Sequence, residues 1–308
     1  MKQIAGFFQI IRWQNLVFIA LTQSVYFFAL IGELSVPEVL TAFHLWMGCL
    51  VIASVLIAAG GYAINDYFDI WIDHVNKPDR VVVDAVIQRR TVMLLHLVLS
   101  VAGLLLSFLV SYQTGIWSIG FGNLAVVVLL WLYSTTFKKQ LLIGNIIIAF
   151  MTAWVLIVGY LLVGGRFIYS GDLWSAETAG LFKKTMLFAG FAFSTTLIRE
   201  VVKDMEDLAG DSKFGCKTMP IVWGLPVSKM FVAIWIFISA VMLLMLQLLA
   251  WNAGWRWSVC YSIVFLIIPL LFLLNDVKNA NTTSDFARLS MRLKWIMLAG
   301  ILSMLFVG

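Results

Sequence analysis

Charge is what this 308-residue chain has least of: Asp, Glu, Lys and Arg make up 12% of it, against about a quarter of an average soluble domain. With 62% hydrophobic side chains and a mean hydropathy of +0.98, that scarcity excludes a soluble globular protein and leaves no room for a large soluble domain. Cysteine is scarce too. Cys49, Cys216 and Cys260 are scattered without a CxxC pair, so neither a disulfide framework nor a thiolate metal centre is expected. His44, His74 and His96 lack the helical spacing of zinc ligands, and no glycine-centred loop closing on a Glu indicates an EF-hand. The first apolar stretch has no small-residue cleavage site, and we expect it to be a retained span. The net charge of +5 is what basic flanks on membrane spans produce, so no nucleic-acid partner is expected.

What the chain has in abundance is apolar runs of about 20 residues, long enough as helices to cross a hydrocarbon core of ~30 Å. Read against charged or turn-like breaks, they predict spans near 13–32, 43–65, 91–111, 114–133, 141–164, 181–201, 227–251, 255–274 and 291–307. The expected fold class is all-α: a polytopic membrane protein, a single domain over 1–308, with about nine transmembrane helices. With the N-terminus in the cytoplasm, Lys77, Arg80, Arg89, Arg90, Lys138, Lys139, Arg199, Lys203, Lys213, Lys217, Lys278, Arg288, Arg292 and Lys294 fall inside. Only Arg166, Lys183, Lys184 and Arg256 fall outside, so the positive-inside rule favours this orientation in a cell membrane. The long, charged connections after the second and sixth spans are then cytoplasmic, and chemistry is expected there.

Both of those spans run into the pattern DxxDxxxD. The first is Asn65, Asp66, Asp69 and Asp73; the second is Asp204, Asp207 and Asp211. Spacings of i, i+3 and i+7 place three carboxylates on one face of a continuous helix. Six of the eleven aspartates lie in these two motifs, a concentration that repels itself and calls for a compensating cation. Mg²⁺ suits the part, because it is commonly held by one or two carboxylates together with waters and substrate phosphate oxygens. Two such faces are suited to grip a diphosphate. Lys77 and Arg80 follow the first motif, Arg199 and Lys203 flank the second, and Tyr133 and Lys138 close the fourth span, all candidates for diphosphate oxygens left free by the metal. The motifs begin 138 positions apart, each after the second span of a four-span block, which predicts diverged repeats over roughly 1–139 and 140–280 followed by the helix at 291–307. The aromatic content, 14%, would suit a long polyprenyl tail.

At these residues the chain resembles the UbiA superfamily of intramembrane prenyltransferases, whose signature is NDxxDxxxD after the second helix and a further acidic motif after the sixth. Asn76, Lys77, Pro78, Asp79 and Arg80 are similar to the family's usual continuation, while Val81-Val82-Val83 departs from it where relatives commonly carry a proline. The stretch from Arg199 to Asp211, with Gly215 and Lys217-Thr218-Met219-Pro220 beyond, looks like the branch that makes ether lipids. The resemblance implies two helical bundles around a lipid-facing cavity capped by the acidic motifs. It also implies Mg²⁺-dependent transfer of a prenyl group, geranylgeranyl above all, from an isoprenyl diphosphate to a lipid-soluble acceptor. Asp66, Asp69, Asp204, Asp207, Lys203 and Arg199 would be the catalytic residues. Transfer to an aromatic quinone precursor, of the 4-hydroxybenzoate or naphthoate type, and terpene cyclisation are the alternatives.

Overall fold

The computed structural model describes residues 2–31, 37–169 and 176–307, and side chains for all of these except 37–43, 80, 166–169 and 176–178. Among the described residues nine helices are long and apolar enough to cross a membrane, as lipid demands of any segment that must satisfy its own backbone. A short helix, α1 (Lys2–Ile10), precedes the first span, α2 (Trp13–Tyr26), which widens into a π turn at Phe27–Ile31. Then follow α3 (Pro37–Asn76), α4 (Arg89–Thr114), α5 (Trp117–Thr135), α6 (Ile143–Tyr169) and α7 (Ala176–Glu206). Two short helices, α8 (Leu208–Lys213) and α9 (Met219–Val222), lead to α10 (Gly224–Asn252). The eighth span is α11 (Arg256–Ser262), a π turn at Ile263–Ile267, and α12 (Ile268–Asn279); α13 (Thr283–Ser303) is the ninth. Pro269 explains that second π turn: its ring has no N–H and crowds the carbonyl one turn back, which a widened turn relieves.

The chain divides into two compact units. The first is Met1–Phe137 with Trp154–Met186, the second Lys138–Ala153 with Leu187–Gly308. In the first unit α3 and α4 meet along a seam of small residues. A Cβ on Gly103 would stand 3.0 Å from the Ala53 carbonyl oxygen, and one on Gly60 would stand 3.2 Å from that of His96. Because lipid supplies no hydrophobic drive between helices, such close backbone approach is what holds them. Gly103→Val is therefore expected to destabilise the protein by about 1–3 kcal/mol. Gly48→Ala in α3, where a Cβ would meet nothing within 4 Å, is the control whose thermal melting in detergent should match the wild type.

Buried polar side chains in this unit bond to one another across helices. Trp154 Nε1 donates to Asn123 Oδ1 (2.9 Å), and Asn123 Nδ2 donates to Ser107 Oγ (2.8 Å), which links α6, α5 and α4. Gln23 Nε2 donates to Ser54 Oγ (3.1 Å) and to the Val155 carbonyl (3.0 Å), so α2 is tied to α3 and α6. In the second unit Ile198, Val201, Val202 and Met205 of α7 share a core with Val232, Ile236, Leu270, Leu273, Phe286, Leu289 and Leu293.

Three sequence expectations shift. The second span does not stop at 65: α3 stays helical to Asn76 and carries the whole first motif. The second motif is not on one unbroken helix, because α7 ends at Glu206 and Asp207 (φ −92°, ψ 9°) starts α8. Asp is among the weaker helix-interior formers and favours helix starts, a preference that operates at this break. The ninth span begins at Thr283 rather than 291, fastened by a capping box between Thr282 and Asp285.

Candidate active site

In the first unit, α3 presents the acidic motif in its last three turns. Asp69 is only 6% exposed and accepts a bond from Asn65 Nδ2 (2.8 Å), one helical turn away. That bond orients the amide, and it leaves Asn65 Oδ1 buried with no hydrogen-bond partner. An orphaned, hard carbonyl oxygen beside a carboxylate belongs to the donor class that Mg²⁺ prefers. Asp66 points elsewhere. Its Oδ1 accepts from Arg12 Nη2 at 2.7 Å, a partner on the turn between α1 and α2.

Arg12 was not among the residues singled out from sequence. It adopts the left-handed conformation (φ 49°, ψ 53°), which turns the chain from α1 into α2, and it stacks over the Tyr62 ring at 5.1 Å. Burial opposes its charge, but Asp66, Tyr62 and Asp73 outweigh that and raise its pKa. The guanidinium therefore stays cationic in the field of two motif carboxylates. Lys77 lies just past the helix end, its N–H bonded to the Asp73 carbonyl (2.8 Å). The Arg80 side chain falls outside the described residues, and Tyr133 sits half-buried in the last two turns of α5.

In the second unit, Asn145 at the start of α6 donates from Nδ2 to Asp204 Oδ2 (2.8 Å). Asn145 also escaped the sequence reading. The two units thus repeat one device: the leading carboxylate of each motif is held by a residue at the N-terminal start of the preceding span, Arg12 in one case and Asn145 in the other. Glu200, 12% exposed, gathers two expected diphosphate ligands, with Lys203 Nζ at 3.0 Å and Arg199 Nη1 at 3.4 Å. The Arg199 Nε is buried and has no hydrogen-bond partner.

Beyond Asp207, the Lys217 N–H bonds to the Lys139 carbonyl (2.8 Å), so the turn at Phe137–Lys139 is fastened to the segment after the second motif. Cys216 lies in that junction. Burial, then Asp211 and Asp204, raise its thiol pKa against Lys138 and Lys139, which makes it an inert thiol that both the motif carboxylates and Lys138 reach electrostatically.

Among the described residues, no three His, Cys, Asp or Glu side chains converge to hold a metal unaided. Helix geometry explains this for the first motif, since i and i+7 lie about 10 Å apart along the axis. A hard ion that takes one or two carboxylates and completes its shell with water and phosphate does not need such a cluster. Asn65, Asp69 and the oxygen-rich motif faces fit it.

A digeranylgeranylglyceryl phosphate synthase of Ignicoccus hospitalis is 35% identical over 196 residues, 64% of this chain and 57% of that protein. The one from Methanospirillum hungatei is 27% identical over 262 residues, covering 85% of this chain and 84% of that protein. A solved UbiA homologue from Archaeoglobus fulgidus, bound to DMAPP and Mg²⁺, superposes with a TM-score of 0.62 over 97% of this chain and 99% of its own at 14% identity, so the two share a fold. Residues 17–298 match the UbiA prenyltransferase family, and with the acidic motifs at the ends of the second and sixth spans, the chain belongs to that family of multi-pass membrane prenyltransferases.

Proposed function

We propose that the protein transfers a geranylgeranyl group from its diphosphate to the free hydroxyl of geranylgeranylglyceryl phosphate, forming the second ether bond of a lipid. Similarity to relatives named digeranylgeranylglyceryl phosphate synthases supports the acceptor. The observation that carries the chemistry is the repeated device, in which each motif's leading carboxylate is oriented from the preceding span while other oxygen donors, Asn65 Oδ1 foremost, stay unspent.

In this reading Asn65, Asp66, Asp69 and Asp73 of the first motif and Asp204, Asp207 and Asp211 of the second would hold Mg²⁺ through their oxygens. When bound, Mg²⁺ neutralises the diphosphate and so eases departure of the leaving group from the allylic carbon. Lys77, Arg80, Tyr133, Lys138, Arg199 and Lys203 donate charge-assisted or hydroxyl hydrogen bonds to phosphate oxygens. Glu200 sets the direction of Arg199 and Lys203 before either meets a phosphate. The acceptor hydroxyl captures the allylic cation to form the ether bond, and its proton passes to the departed diphosphate. The excess of Lys and Arg around the motifs supports a cytoplasmic N-terminus and a cytoplasm-side reaction centre.

Membranes carrying the protein, supplied with Mg²⁺ and labelled geranylgeranyl diphosphate, are expected to yield labelled ether lipid and to release diphosphate only when geranylgeranylglyceryl phosphate is added. Label in a quinone precursor and none in ether lipid overturns the acceptor. Release without any acceptor identifies a cyclase, and no release from any mixture overturns prenyl transfer itself.

A further inference from the structure

The first unit contains a cavity of about 620 Å³ that the transfer chemistry does not use, lined by Tyr67, Asp84, Gln88, Arg89, Arg90 and Met93. It is built where the loop after α3 meets the first turn of α4. Val82 and Val83 anchor that loop in the apolar cluster of Ile10, Ala63, Ile70 and Val92. Asp84, in the left-handed region at φ 61°, accepts the Arg89 N–H at 3.0 Å and binds its own N–H to the Ile87 carbonyl. Tyr67 holds the Arg89 guanidinium over its ring at 4.3 Å.

The arrangement is electrostatically lopsided. The first turn of α4 contains no acidic residue and two arginines, which sit at the positive end of the helix dipole of a 26-residue helix, where cations are disfavoured and anions are stabilised. Among the described residues neither arginine is in an ion pair, and the one carboxylate lining the cavity, Asp84, is committed to a backbone N–H. Two guanidinium groups plus the helix end outweigh it. From Arg90 the same face of α4 continues as exposed Leu94, Leu97, Val98, Val101 and Leu105, an apolar track at helical spacing that leads into the bilayer.

We propose that this cavity binds the phosphate-ester headgroup of a membrane amphiphile, with Arg89 and Arg90 as its ligands, Gln88 as a neutral donor and the amphiphile's chain lying on the track below. A phosphomonoester lipid, of the class to which the proposed acceptor belongs, and a bulk phosphodiester lipid share this chemistry. The site stands whether or not the acceptor has been named correctly.

The test is lipid retention by the delipidated full-length protein in detergent, read by native mass spectrometry with phosphatidic acid, phosphatidylglycerol and diacylglycerol as probes. Both phosphate lipids are expected to bind well above diacylglycerol. Preference for phosphatidic acid assigns the site to phosphomonoesters, and equal binding of the two assigns it to bulk phospholipid. Arg89→Gln with Arg90→Gln should weaken phosphate-lipid binding about tenfold or more, the worth of one hydrogen bond to a charged group, whereas Arg89→Lys with Arg90→Lys should retain most of it. Gln88→Glu puts an anion into the cavity at a helix start that favours one, so that variant should fold and lose binding. Retention of diacylglycerol as strong as that of phosphatidic acid, or unchanged binding by Gln88→Glu, overturns the site. Because turnover is not the readout, failure here leaves the prenyl-transfer assay to be judged by itself.

Discussion

Asp69→Ala is expected to abolish prenyl transfer, with turnover falling by roughly 10²–10³-fold or more, the scale seen when a group that stabilises developing charge is removed. Asp69 is the motif carboxylate with the least exposure, and its hydrogen bond from Asn65 is what orients the unspent Asn65 Oδ1. Losing it removes one oxygen ligand and frees the amide to turn, so two proposed ligands go at once. Asp69→Asn separates charge from shape: it can still accept from Asn65 Nδ2, and it should be as inactive as the alanine variant while melting like the wild type. Asp66→Ala and Asp207→Ala should be equally silent, one in each unit. Diphosphate release from detergent-purified protein, paired with a thermal melt, checks all four. Near-normal turnover in a folded variant of either motif would sink the proposal that both serve the same reaction.

The second large effect is expected from residues that touch no ligand in the proposal. Asn145→Leu keeps the volume at the start of α6 but withdraws the only hydrogen bond described to the Asp204 side chain, and Arg12→Gln withdraws the cation from Asp66. Groups that orient metal-binding carboxylates typically cost 10–100-fold in metal affinity or activity when removed, and about that loss is expected here. The discriminating readout is the Mg²⁺ requirement. If Asn145 and Arg12 act by orienting carboxylates, half-maximal activity in each variant will need more Mg²⁺, and saturating Mg²⁺ will restore part of the rate. A fall in rate with the Mg²⁺ requirement unchanged would show that these residues merely support the fold.

How much of this was legible beforehand varies by residue. The spans could be read because lipid tolerates few charged side chains, so each crossing announces itself as an apolar run; their ends could not, because charge at a helix end looks the same as charge in a loop. That is why the apolar pattern stops the second span at 65 although α3 continues to Asn76, and starts the ninth at 291 although Asp285 and Arg288 are already helical. A signal for the latter was present: Thr282 followed three residues later by Asp285 is a capping pattern, and the structure shows it closed. The kink at Asp207 had only a weak local signal in an aspartate within an otherwise helical run.

For the candidate site the division follows the same physics. The two DxxDxxxD motifs, Asn65, and the clustering of Lys and Arg near them are local patterns, so the order of residues along the chain was enough to find them and, with the apolar runs, to determine a membrane prenyltransferase of this family. Arg12 and Asn145 lie 54 and 59 positions from the carboxylates they hold, in segments whose own sequences contain no motif. Glu200 was visible only as one more charge beside Arg199 and Lys203. Helical spacing specifies which side chains share a face of one helix, but it carries no information about which face of another helix will lie against it. That choice rests on contacts such as the Gly60 and Gly103 seam and the buried apolar cluster around Ile198, and so the partners of the acidic motifs were decided by the tertiary structure alone.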